Sequence, residues 1–227
     1  MTARPTTAQQ PSASRVTAAI DVLPDPRWKR PLDSIGAVAL LTLTAPLWII
    51  AAIAIKLDSP GPVLHAQDAI GRGGRAFRFH KFRTMQRGAD GADHRRYIQA
   101  FVEGTTGEDG VHKMTDDPRR TRVGRWLRRL SLDELPQALD VLRGDMSLAG
   151  PRPPLPYEYT LYDEVARQRL AVKPGITGLY QVTRRSRASF REMVEIDLEY
   201  IQRRSLWLDL SIIARTLPAM LLGKGAY

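Results

Sequence analysis

The sequence predicts an α+β protein bound to a membrane, with a re-entrant N-terminal helix, a mainly helical cytoplasmic domain and a small β-hairpin. Three observations carry that prediction. One uncharged stretch is long enough to reach through a bilayer core, yet a proline interrupts it and cations flank both its ends. Two short β-prone runs bracket a glycine-rich turn. The rest of the chain reads as a series of helices.

The 227 residues carry 34 Lys and Arg against 24 Asp and Glu, a formal net charge of +10. A hydrophobic share of 43% supports a core and excludes disorder throughout. Cysteine is absent, which excludes disulfide staples, cysteine-ligated zinc and thiol catalysis. The charge calls for an anionic partner: nucleic acid, an anionic membrane face, or phosphorylated substrates.

Residues 1–26 are rich in Ala, Thr, Ser, Pro and Gln without periodicity and are expected to form a disordered tail. The membrane segment, 27–58, follows. Its 22 residues from Ser34 to Ile55 contain no charge. As a helix they would rise roughly 33 Å, enough to cross a bilayer core. The stretch starts too far in and is too long for a secretory signal. Pro46 removes a backbone N–H near the middle, so a kink is expected there, with Thr42 and Thr44 offering hydroxyls to freed carbonyls. Arg27, Lys29 and Arg30 precede the stretch, and Lys56, Arg72, Arg75 and Arg78 follow it. Positive flanks on both sides place both ends on the cytoplasmic face, which a re-entrant hairpin satisfies and a straight span does not.

Residues 59–227 form the expected cytoplasmic domain. Ser59-Pro60-Gly61-Pro62 is a turn. Val63 to Gln67 and Ala76 to Phe82 read as strands around Gly71-Arg72-Gly73-Gly74. Helices are expected near 94–102, 136–143, 155–171 and 189–222, the last broken near Ser205. Its Trp207, Ile212 and Ile213, set among arginines, suggest an interfacial helix, with an ordinary core helix as the alternative.

Six arginines, Arg119, Arg120, Arg122, Arg125, Arg128 and Arg129, crowd around Trp126. A solvated helix face or a nucleic-acid surface would account for them, but beside a membrane anchor phosphates of lipid or substrate are the nearer target. Ser131-Leu132-Asp133-Glu134-Leu135-Pro136-Gln137 comes next. Ser131 and Glu134 match a capping box, but that frame would put Pro136 at the fifth helical position, where proline is disfavoured. A helix starting at Pro136 instead leaves Asp133 and Glu134 just before its positive end, a place suited to carboxylates and phosphate. Two adjacent acids beside arginines suit phosphate chemistry, one attacking and the other holding a divalent cation.

From about Lys29 to Tyr227 the chain resembles the bacterial sugar transferase family, the monotopic polyprenyl-phosphate phosphoglycosyl transferases of exopolysaccharide and glycoconjugate synthesis. The stretches that carry the resemblance are Lys29-Arg30-Pro31-Leu32-Asp33, Ser59-Pro60-Gly61-Pro62-Val63, Lys81-Phe82-Arg83-Thr84-Met85 and Ser131 to Gln137. Gly144-Asp145-Met146-Ser147, Gly150-Pro151-Arg152-Pro153, Lys173 to Gly178 and Gly223 to Tyr227 continue it in order. The resemblance implies a UDP-sugar donor, a polyprenyl phosphate acceptor, Mg²⁺, membrane lipids as partners and no nucleic acid. It implies that Asp133 attacks the sugar-linked phosphorus and expels UMP, and that Glu134 helps bind Mg²⁺. Lys81, Arg128, Arg152, Arg185 and Asp197 are implied as substrate or active-site contacts, and the bacterial inner membrane, cytoplasmic face, as the location. The sequence departs from the family pattern at Ala45-Pro46, Ala69, Asp140 and Arg184, where serine, arginine, asparagine and glycine are common. An inactive membrane-anchored scaffold and a nucleic-acid-binding membrane protein are the rival readings.

Overall fold

The computed structural model of the chain describes residues 20–86, 92–105, 119–184 and 188–221. It mixes helix and strand around one long N-terminal helix. That helix, α1 (Lys29–Asp58), runs through Pro46 as a single 30-residue element. The Thr44 hydroxyl donates to the Leu40 carbonyl at 2.6 Å, not to the Thr42 carbonyl that Pro46 deprives of its usual donor. α1 is long and apolar enough to cross a membrane. Leu43, at 80% exposure, and Ile49, Ile50 and Ile53 lie open along its middle. A row of bare aliphatic side chains this long is unusual on a surface meant for water.

Both ends of α1 are fastened to the same body. At the start, Lys29 donates to the Ala149 carbonyl, and Asp33 accepts from Ser147 Oγ and the Leu148 N–H at 2.9 and 3.0 Å. Thus the Lys29–Asp33 and Gly144–Ser147 stretches meet in space. At the end, Arg83 closes the last turn of the helix, donating to the carbonyls of Ser59 and Pro60 at 2.7 and 2.6 Å. Helix C-termini leave such carbonyls without intrahelical partners, which is where a guanidinium fits best.

Strands β1 (Leu64–Ile70) and β2 (Ala76–Phe82) form the expected antiparallel hairpin, with Leu64 opposite Phe82 and Ile70 opposite Ala76. β1 runs three residues beyond its sequence-based end. The hairpin's Phe79 packs with Ala37 of α1 and with Ala138 and Val141 of α4 (Gln137–Arg143), while Phe82 joins Ile55, Leu127 and Leu135. Edge-on contact between Trp48 and Phe82 at 5.0 Å ties the middle of α1 into this second cluster.

Helices α2 (Ala92–Val102) and α3 (Arg122–Arg129) precede α4. After α4 come β3 (Ser147–Ala149), α5 (Pro156–Thr160), α6 (Glu164–Arg167), β4 (Gly175–Thr177) and α7 (Leu179–Thr183). α8 (Phe190–Gln202) and α9 (Leu206–Leu221) end the described chain, with the expected break around Ser205. The single helix expected over 155–171 is split, because Asp163 starts a new cap by accepting from the Ala166 N–H at 2.7 Å. Parallel pairing of β3 with β4 escaped the sequence reading. Three-residue strands fall below the length at which alternation is visible.

Two expectations need correction. The tail is expected to run to residue 26, yet residues 21–25 are tied to the body. The Leu23 N–H donates to the Ala171 carbonyl at 3.0 Å, and Asp25 stands between Arg72 and Lys173 at 3.4 and 3.2 Å. Long-range ion pairs, invisible to composition, hold this strap. Residues 1–19 and the closing stretch 223–227 lie outside the described residues. The interfacial reading of α9 also changes, since Ile212 is buried among Val172, Tyr200 and Ile201, while Trp207 is 79% exposed. One face of the helix packs and the other is open.

Candidate active site

β2 ends at Phe82, but the chain stays extended through Thr84 and Met85 and pairs there with residues 119–121. The Thr121 N–H donates to the Thr84 carbonyl at 3.1 Å, and Met85 bridges Arg120. α3 starts at once, capped by the Thr121 hydroxyl, which accepts from the Gly124 N–H at 2.9 Å. Gly124 lies so close to the Thr84 backbone that no side chain would fit. That close approach lets Arg128, one turn later, donate from Nε to Thr84 Oγ1 at 3.0 Å. Lys81 and Arg128 therefore reach the site from two elements joined at Thr84.

The acidic pair follows directly. Ser131 holds φ 53°, the one non-glycine residue at positive φ among the described residues. Such a conformation costs free energy and persists only where the surroundings enforce it. It turns the chain into a single 3₁₀ turn, Leu132–Glu134, that ends before α4. Ser131 makes no side-chain cap, so the capping-box frame does not form, and Pro136 sits at the N-cap of α4. Asp133 is buried and Glu134 partly open.

Lys81 Nζ stands 4.0 Å from Glu134 Oε1 and 5.0 Å from the centre of the Phe79 ring. Burial pushes the Lys81 ammonium below the ordinary lysine range. Glu134 and Asp133 pull the other way, while Arg152 and Arg128 add to the depression. Arg152 leaves β3 on an extended segment, 151–155, stiffened by Pro151, Pro153 and Pro154. Close approach sets its start, since a Cβ at Gly150 would lie 2.6 Å from the Lys173 carbonyl oxygen. Burial works against the charge of Arg152, but Glu158 and Glu134 outweigh it and the guanidinium holds its proton more firmly than usual. Lys81, Arg128, Asp133, Glu134 and Arg152 thus converge on one place.

One of the sequence-derived residues lies elsewhere. Asp197 on α8 is buried, and Arg169 takes its charge through Nε and Nη2 at 2.8 and 2.7 Å. Arg169 also donates to Tyr162 Oη at 2.6 Å and reaches the Arg152 carbonyl at 3.4 Å. Asp197 thus sits behind Arg152, with Arg169 between them. Arg185 lies outside the described residues. Arg169 and Tyr162 were missed by sequence reasoning, and no local pattern marks them. Arg83 was visible in its motif, but its cap on α1 was not.

A divalent cation would find little beyond the acidic pair, since no group of three or more potential ligands among the described residues could hold a metal ion. Mg²⁺ does not need such a cage. It keeps several waters and is bound through one or two carboxylates plus substrate phosphates. The adjacent carboxylates of Asp133 and Glu134, with Glu134 partly open, fit that donor set.

The model of the bacterial sugar transferase family matches residues 25–223. A galactosyl transferase, CpsE, of Streptococcus agalactiae is 42% identical over 199 residues, covering 87% of this chain and 43% of that protein. The exopolysaccharide production protein ExoY of Sinorhizobium fredii is 38% identical over 203 residues, covering 88% of each chain. A UDP-glucose:undecaprenyl-phosphate glucose-1-phosphate transferase of Caulobacter vibrioides is 42% identical over 211 residues, covering 88% of this chain and 72% of that protein.

Proposed function

Because the chain belongs to the bacterial sugar transferase family, we propose that it is a membrane-bound enzyme moving a hexose-1-phosphate from a UDP-sugar to polyprenyl phosphate. The observation that carries this reading is the acidic pair, Asp133 and Glu134, set on one strained turn among Lys81, Arg128 and Arg152. In the first step, an Asp133 carboxylate oxygen attacks the sugar-linked phosphorus. A new O–P bond forms, the P–O bond to the nucleotide breaks, and UMP leaves with the electron pair. In the second, a phosphate oxygen of polyprenyl phosphate attacks the same phosphorus and displaces Asp133. Lys81, Arg128 and Arg152 offset phosphate charge that would otherwise repel the carboxylate. Glu134, with the donor's phosphate oxygens, would hold Mg²⁺, which supplies further charge neutralisation at the phosphorus being attacked.

Attachment of both α1 ends to one body supports a re-entrant anchor, with the exposed middle of α1 in the lipid. α3 fits the same surface. Asp58, the last residue of α1, accepts from the Val123 N–H at 2.9 Å, and the exposed Arg122, Arg125, Trp126 and Arg129 point away from the core. Cations and tryptophan at that level suit anionic headgroups. The open face of α9, with Trp207, suits them too. On this reading the body lies on the cytoplasmic face of the inner membrane, where a soluble donor and a lipid acceptor meet. Exopolysaccharide or glycoconjugate synthesis would begin with this step.

The decisive test is UMP release from a panel of UDP-sugars, with and without Mg²⁺ and polyprenyl phosphate. Mg²⁺-dependent release with one or more UDP-hexoses is expected. Silence across the panel would favour an inactive scaffold.

A further inference from the structure

Antiparallel pairing sets His65 of β1 directly opposite Lys81 of β2, and Gln67 opposite Phe79. Residues that face each other across such a pair point to the same side, with Cβ atoms about 4.5–5.5 Å apart. The side that carries His65 and Lys81 is therefore also that of Ala69 and Phe79, which are buried against Ala138 and Val141 of α4. β2 touches the Leu132–Glu134 turn as well as α4. Near the end of the hairpin this side runs past the core and meets the acidic turn, where Lys81 Nζ stands 4.0 Å from Glu134 Oε1. Lys81 is largely covered there, with its side chain 20% exposed, whereas His65 is open. His65 is thus the accessible flank of a cation that belongs to the candidate site.

The neighbours decide what an imidazole does in this place. Like charges directly opposite each other in a sheet repel. Partial burial, then Lys81 and Arg78, hold the His65 imidazole below the ordinary histidine range. It is neutral at pH 7, with one ring N–H to donate and one bare ring nitrogen. Such a group adds a hydrogen bond to an anion without adding a second cation next to Lys81.

This end of the hairpin also adjoins the end of α1. β1 starts at Leu64, just past the turn that follows Asp58. The Arg83 N–H donates to the Val63 carbonyl at 2.9 Å while its guanidinium holds the carbonyls of Ser59 and Pro60. The Gly71–Gly74 turn lies at the far end. On the re-entrant reading the chain leaves the lipid at the end of α1, so a lipid-borne phosphate comes to His65 before it comes to the rest of the hairpin.

We infer that His65 is a substrate contact whose ring N–H donates to a phosphate oxygen beside Lys81, and its place next to the end of α1 assigns that oxygen to polyprenyl phosphate. This rests on the reading of the site as a phosphosugar transferase site. The diphosphate of the UDP-sugar offers the same chemistry, and the experiment separates the two.

The test uses two variants of the full chain, purified in detergent. His65→Phe keeps a ring and removes the N–H, and His65→Gln restores a neutral donor. Loss of the bond should lower kcat/KM for polyprenyl phosphate by about tenfold in His65→Phe, and His65→Gln should recover much of it. The melting temperature should match wild type in both, because the side chain is exposed. Formation of the phosphosugar on Asp133 from the UDP-sugar alone is then followed as a single turnover of UMP release. A wild-type rate in that step, with slowed transfer, assigns the bond to the acceptor. A slowed first step assigns it to the donor's diphosphate and overturns the acceptor assignment. Wild-type kinetics of both steps in His65→Phe overturn the contact altogether, as does a loss of activity that only follows a lower melting temperature. Absence of UMP release from wild type would instead sink the transferase reading, and this inference with it.

Discussion

Two clusters of charge in this molecule use the same residue types to opposite ends. Where α1 begins, Lys29 pairs with Asp209 of α9 and donates to the Ala149 carbonyl at 2.8 Å, and Tyr200 Oη lies 2.9 Å from both Ala149 O and Asp209 Oδ1. Asp33 completes the group with bonds of its own to Ser147 and Leu148. Every charge there is buried and answered within the chain. At the acidic pair, Lys81 and Glu134 stay 4.0 Å apart, beyond hydrogen-bond distance, with the side chains partly open. The first cluster spends its charges on joining α1 to α9. The second leaves Lys81 and Glu134 short of a direct bond, which on the proposed reading keeps them available to substrate phosphate.

The largest expected effect lies in the second cluster. Asp133→Asn keeps the shape and removes the anionic nucleophile, so turnover should fall by roughly a thousandfold or more while folding is retained. Wild type incubated with a UDP-sugar alone should carry a phosphosugar mass on the Asp133 peptide, and the variant should not. Full activity in the variant would show that this cluster's acids are structural as well.

The first cluster should fail through stability. Lys29→Ala leaves Asp209 buried without its cation and should cost about 3–5 kcal/mol. Exchanging both partners, Lys29→Met with Asp209→Leu, should recover most of that loss, as read by thermal unfolding in detergent. A harmless single variant would mean that water reaches the cluster and that it resembles the active site more closely than its geometry implies.

A subtler difference is in titration. The Lys81 ammonium is held below the ordinary lysine range, chiefly by burial, so it loses its proton at a lower pH than a free lysine would. If its charge is needed for the donor, kcat/KM should decline as pH rises through that depressed value. Lys81→Arg keeps its proton, so the alkaline limb should move to higher pH even where the maximal rate is reduced. An unmoved limb would assign the titration to another group.

The smallest effect is expected at the membrane face. Trp207→Ser with Leu210→Ser should slow transfer to polyprenyl phosphate by about tenfold or less, since exposed side chains that insert only partly contribute about 1–2 kcal/mol. Formation of the phosphosugar on Asp133 should be spared, because it needs only the soluble donor. Ile212 is left alone, being part of the core. Equal loss of both half-reactions would mean that this face of α9 supports the body.

The long apolar run, the hairpin around Gly71–Gly74, the start of α4 at Pro136 and the break near Ser205 were all legible from residue order. Each depends on local sterics or on hydrophobic spacing, which the chain carries without reference to distant residues. The acidic pair stood out by its place just before Pro136 beside the arginines, whereas Lys81, Arg128 and Arg152 were named through the family resemblance. What sequence alone left open depends on separations of tens to hundreds of residues. Arg169 reaches Asp197 across 28 positions, Asp25 meets Lys173, and Lys29 meets Asp209 across 180. Tertiary packing alone assigned Asp197 its place behind Arg152. It also decided which face of α9 is open. Local order sets which conformation a segment prefers, whereas the desolvation of a charge and the identity of its partner are settled only once distant segments pack together.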